Sequence, residues 1–66
     1  MENVIIAKRL VELRGVRTQK EVAESLGISI SALSMYEIGQ RIPRDEVKIK
    51  IAKYYGKSVQ DIFFKQ

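Results

Sequence analysis

The chain contains no cysteine, no histidine and no tryptophan, and only one proline, Pro43. Without cysteine there is neither a disulfide nor a thiolate metal site. Without histidine the commonest general base and the commonest metal ligand are both absent. The four glycines, Gly15, Gly27, Gly39 and Gly56, stand apart from one another, so no glycine-rich phosphate loop is present. Apolar runs extend for a few residues only, too short to span a membrane. Val4 to Ala7, followed by Lys8 and Arg9, is too short for a signal-peptide core and carries its charge on the wrong side. The eight carboxylates, from Glu2 to Asp61, are dispersed, and a two-carboxylate hydrolase would need a cleft that so small a chain does not readily form. The expectation is a cytoplasmic, non-enzymatic protein with no cofactor, no metal and no membrane partner.

What is present is a globular composition. Apolar residues make up 45% and charged residues 30%, which argues against a disordered chain. Sixty-six residues suit one domain, 1–66. A domain of this size buries only about 60% of the surface its unfolded chain exposes, so a partner chain would help to stabilise it. The net charge of +4 suits a polyanionic partner but does not by itself identify one.

The spacing of apolar residues is helical and predicts an all-α fold, with helices near 4–14, 18–26, 29–38, 45–55 and 59–64. Ile6, Leu10 and Leu13 define one face of a first helix that Gly15 ends. Thr18 to Glu21 fits a capping box, opening a helix whose inner face is Val22, Ala23 and Leu26. Ser29 or Ser31 caps a third helix with Leu33 and Tyr36 inward. Pro43 resists a helix through Gln40 to Arg44. Asp45 and Glu46 then place negative charge at the start of a fourth helix lined by Val47, Ile51 and Tyr55. Ser58 to Asp61 starts a short fifth helix. Ile28 to Ser31 alternates like a strand, but four residues do not outweigh the helical pattern around them.

The informative stretch is Gln19 to Tyr36. A link of a few residues between the second and third helices forces them to cross steeply. Such a turn needs a residue tolerant of positive φ, a small side chain at the crossing and an apolar clamp. Gly27, Ala23 and the set Val22, Leu26, Ile28, Leu33 and Tyr36 meet these needs together.

On these residues, with Thr18-Gln19, Ser31-Ala32-Leu33-Ser34, Tyr36-Glu37, Gly39, Pro43, Ile51-Ala52 and Ser58-Val59, the sequence resembles the repressor/Cro-like (XRE) helix-turn-helix family of phages and bacteria. The resemblance runs from about Ile6 to Phe63. It implies a compact five-helix bundle of the lambda-repressor-like kind, binding near-palindromic double-stranded DNA as a homodimer. Helix three would lie in the major groove while helix two crosses the backbone. Thr18, Gln19, Ser29, Arg41 and Arg44 are the expected backbone contacts, and in the family the glutamine matching Gln19 touches phosphate. Ile30, Ser31, Ser34 and Met35 are the expected base-reading face. Family members commonly carry Arg, Gln or Lys where this chain has Ile30 and Met35, so specificity is expected to lean on methyl contacts, water and DNA shape. Glu37 needs a structural partner, an arginine or backbone amides. Lys48, Lys50, Lys53 and Lys57 are expected on a solvated face.

Four of the five aromatics lie near the C-terminus. Phe63 and Phe64 are adjacent and cannot both point inward. Val59, Ile62, Phe63 and Phe64 are therefore candidate dimer contacts, or else they cap the ends of helices one and four. The expected function is a transcriptional repressor, with a protein regulator as a further candidate partner. The alternative is a protein-interaction module, such as an antitoxin or an anti-repressor partner, using Ile30 and Met35 as an apolar patch.

Overall fold

The computed structural model describes residues 2–65, and among them the chain is all-helical with no strand. Four α-helices, α1 (Glu2–Arg14), α2 (Gln19–Leu26), α3 (Ile30–Glu37) and α4 (Asp45–Tyr55), precede a short, wider-wound α5 (Gln60–Phe64). In α5 the Lys65 amide donates to the carbonyl of Gln60, five residues back, at 2.8 Å. α1 packs on α3 and α5, and α2 packs on α3 and α4.

The helix ends follow from local chemistry. The Thr18 hydroxyl accepts from the Glu21 amide at 3.0 Å and starts α2. Of the two serines that could open α3, Ser29 does so, accepting from the Ala32 amide at 3.0 Å. Ser58 accepts from the Asp61 amide at 3.0 Å ahead of α5. Gly27 closes α2 at φ +71 with its amide directed at Ala23 and Glu24, and the Ile28 amide reaches the Ala23 carbonyl at 3.0 Å. A Cβ there would meet nothing within 4 Å, so the left-handed backbone alone calls for glycine. At Gly39, with φ +80, space matters as well. A Cβ would lie 3.3 Å from the Asn3 carbonyl oxygen and 3.8 Å from the Ala7 Cβ. The Asn3 side-chain amide donates to the Gly39 carbonyl at 3.3 Å, so the end of α3 is clasped against the start of α1.

One core joins all five helices. α1 contributes Ile6 and Leu10, α2 contributes Val22, Ala23 and Leu26, and α3 contributes Leu33 and Tyr36. Ile51 and Ala52 of α4 meet Ile62 and Phe63 of α5 in the same cluster. Leu10, Leu33, Ile51, Ile62 and Val22 are fully enclosed, each worth about 1.5–3 kcal/mol relative to exposure. Leu13, Val47 and Tyr55, expected on inner faces, are half-buried against this core. Arg9 holds α5 in place, donating to the Ile62 carbonyl at 2.9 Å and to the Lys65 carbonyl. It thereby satisfies carbonyls that a helix end leaves without partners.

Two expectations change at α4 and α5. Ile62 and Phe63 were candidate dimer contacts, but they are only 2% and 6% exposed and belong to the protomer's own core. The wide turn brings these two adjacent residues inward together and leaves Phe64 outside, 56% exposed. Lys48, expected on a solvated face, lies over the aromatic pair. Its Nζ is 5.6 Å from the Phe63 ring centroid and 5.0 Å from that of Phe64. The lysine stem covers apolar surface while the ammonium stays within 3.7 Å of Asp45.

Candidate nucleic-acid interface

Three segments carry the expected contact residues, and Gln19 of the first is joined to α3 through Glu37. They are the start of α2 (Thr18, Gln19), the outward face of α3, and the loop that follows α3 (Arg41, Arg44). A three-residue link, Gly27-Ile28-Ser29, connects the two helices. Ile28 is half-buried against the core and fixes the link from below.

The two helices are also locked by a polar cluster centred on Glu37, the one buried charged residue among the described residues. Its carboxylate accepts from Arg14 Nε at 2.8 Å on one oxygen and from Gln19 Nε2 at 2.9 Å on the other. Arg14 also donates to the Arg17 carbonyl at 2.8 Å. The first turn of α2 is thus tied to the last turn of α3 and to the end of α1. A buried carboxylate without a cation would be costly, and Arg14 supplies the cation that the sequence reading required. Hydrogen bonding to Glu37 raises the Arg14 pKa above its ordinary value against the opposing effect of burial, with the carboxylate's charge adding to the rise. Gln19 keeps one amide hydrogen and its carbonyl oxygen for other partners.

Beside this cluster the Arg17 guanidinium lies 5.5 Å from the Tyr54 ring centroid and 5.7 Å from that of Tyr55. Arg17 is thereby drawn towards α4. Burial, and next the nearby charge of Glu37, push the Tyr55 hydroxyl up to about 12. That hydroxyl oxygen is buried with no hydrogen-bond partner among the described residues.

The remaining expected contacts are placed as follows. Thr18 and Ser29 are exposed, and both use their oxygen to cap a helix, which leaves the hydroxyl hydrogen free to donate. Ile30 and Ser31 are exposed, while Ser34 and Met35 are half-buried. Arg41 and Arg44 are exposed on either side of the buried Pro43. Val59 is half-buried and, with Ile49 and Phe64, lines a shallow depression bordered by Asp45 and Lys48 on the α4–α5 side.

Two residues escaped the sequence reading. Ile38, 63% exposed, follows Ser34 by four residues and Ile30 by eight, so it falls on the outward face of α3. Its helical spacing was the available signal. Ile49, 49% exposed, lies off the inward stripe of α4 and was legible only as an apolar residue out of phase.

Two short helices joined by a capped glycine turn, one with an outward face free of core contacts, define a helix-turn-helix domain. The chain belongs to the helix-turn-helix family: a family model of that description matches residues 8–62. It is also similar to an uncharacterized HTH-type transcriptional regulator of Methanocaldococcus jannaschii, with 37% identity over 46 residues, 70% of each chain. No solved structure matches it. Family and relative together support a DNA-binding regulator of transcription as the class of protein.

Proposed function

We propose that the chain is a sequence-specific double-stranded DNA-binding repressor that acts as a homodimer on a near-palindromic operator. α3 lies in the major groove and α2 crosses the backbone. The observation that carries this reading is the Arg14–Glu37–Gln19 cluster, which holds the start of α2 in fixed register with the outward face of α3. A rigid pair of this kind positions a phosphate contact and a reading face at once. Thr18, Gln19, Ser29, Arg41 and Arg44 meet the backbone, while Ile30, Ser31, Ser34 and Met35 face the bases.

In the dimer, the α4–α5 depression meets its counterpart on a second copy through Phe64, Ile49 and the edge of Val59. Isologous pairing of one patch with itself gives the two-fold symmetry that a palindrome requires. The protomer's longest dimension is 28 Å, a size that suits reading helices roughly 34 Å apart, one turn of DNA.

Selection of bound duplexes from a random pool tests the proposal. A near-palindromic winner is the expected result, with affinity falling steeply as salt rises. A second reading, a protein-interaction module, draws on the exposed Ile30 and Ile38. It would be favoured by no enrichment of any duplex at low salt.

A further inference from the structure

The outward face of α3 consists of Ile30, Ser31, Ser34 and Met35 and is continued by Ile38, the residue that caps the helix, with Leu33, Tyr36 and Glu37 turned into the fold. No guanidinium, ammonium, carboxamide or carboxylate projects from this face. Bidentate recognition of guanine or adenine therefore has no donor fork on the helix, because it needs arginine, lysine, asparagine or glutamine. The serines supply short hydroxyls that suit several bases. Ile30 is 46% exposed and Ile38 63% exposed, so aliphatic surface stands proud at both ends of the face.

Aliphatic side chains pressed against the N7, O6, N6 or N4 positions of a base pair would strip water from those groups without replacing its hydrogen bonds, which is costly. The thymine C5-methyl is the apolar group that ordinary base pairs present in the major groove. We infer that the operator half-site is read through thymine methyl groups set against Ile30 and Met35, with Ile38 covering a further one towards the helix end. Hydroxyl-tolerant positions lie opposite Ser31 and Ser34. The inference rests on the DNA-binding reading above and adds to it the chemistry of the recognised sequence. It also makes Ile38 a specificity-determining residue.

The test uses the full chain and the duplex that selection yields. Thymines of the half-site are replaced one at a time by deoxyuridine, which removes the methyl and leaves the pairing edge intact. Affinity is expected to fall roughly fourfold for each contacted methyl removed, the factor that corresponds to burial of one such group. Replacing the paired thymine's methyl by that of a 5-methylcytosine in a G·C pair should restore only part of the loss, since the exposed N4 and O6 groups remain. Ile30→Ala, at an exposed position, leaves the fold intact by circular dichroism and removes the deoxyuridine penalty at its own position alone. Ile38→Ala does the same at a different position. Tight, salt-sensitive binding that is indifferent to deoxyuridine would overturn the inference while leaving the DNA-binding reading intact, as would a winner whose reading positions are all guanines. Failure to enrich any duplex would overturn both.

Discussion

Replacing Arg14 with alanine removes the cation from a carboxylate whose side chain is only 3% exposed. Breaking a buried ion pair by deleting one partner typically costs about 3–5 kcal/mol, because the remaining charge is left buried and uncompensated. Two features reduce the cost here. Gln19 still donates to Glu37, and the Arg14 side chain is 21% exposed, so water can enter the space it leaves. The expected loss is about 2–3 kcal/mol. That is a large fraction of the stability of a domain of this size. It corresponds to a fall of roughly 8–24 °C in Tm. Glu37→Gln in the same background tests the cause. Neutralising the buried group should recover part of the loss, giving a favourable coupling between the two changes in a double-mutant cycle. The assay is urea unfolding followed by circular dichroism, with Arg14→Ala, Glu37→Gln and the double variant compared at one pH. An Arg14→Ala protein within about 0.5 kcal/mol of the parent, or a cycle with no coupling, would show that Arg14 does not compensate the buried charge of Glu37.

Three further outcomes are expected. The Tyr55 hydroxyl titrates near 10.0 in the unfolded chain and near 12 in the folded one, so folding favours its neutral form. Its contribution is fully present below pH 10 and is lost as pH rises towards 12, and Tyr55→Phe should remove that part of the alkaline decline in stability. Gly39→Ala should lose about 1–2 kcal/mol from its left-handed backbone and more from the approach to Asn3. Gly27→Ala should lose only the backbone part, and urea midpoints of the two variants will rank them. Phe64→Ala should weaken self-association in sedimentation equilibrium without changing the helical signal, because the side chain lies outside the core.

Much of the fold was legible because it is written in local chemistry. Thr18 caps the helix it was expected to cap, Ser29 is the one of two candidate serines that caps α3, and Gly15, Gly27, Gly39 and Gly56 all adopt positive φ where the helices stop. Inward residues of α2 and α3 followed from a period that a single helix enforces. The features that escaped depend on long-range geometry. Glu37 called for a partner, but Arg14 lies 23 residues away and Gln19 lies 18 away, and only the packing of α1, α2 and α3 selects them. The fate of Ile62 and Phe63 turned on the winding of α5. A regular helix sets neighbours about 100° apart, whereas this wider turn lets both face inward. A charged residue is ordinarily solvated, and nothing local in the sequence marks Lys48 as an exception. The flat aromatic surface that holds it comes from a different helix.

The most direct test of the central claim is the affinity of the parent chain and of Arg41→Ala for the selected operator, each measured against salt concentration. For the parent, the logarithm of the binding constant should fall linearly with the logarithm of salt, by about 0.9 per phosphate neutralised. Arg41→Ala should lower that slope by roughly one and weaken binding to all sequences alike. A salt-independent affinity, or a slope unchanged by Arg41→Ala, would contradict a DNA interface built on α2, α3 and the loop that follows.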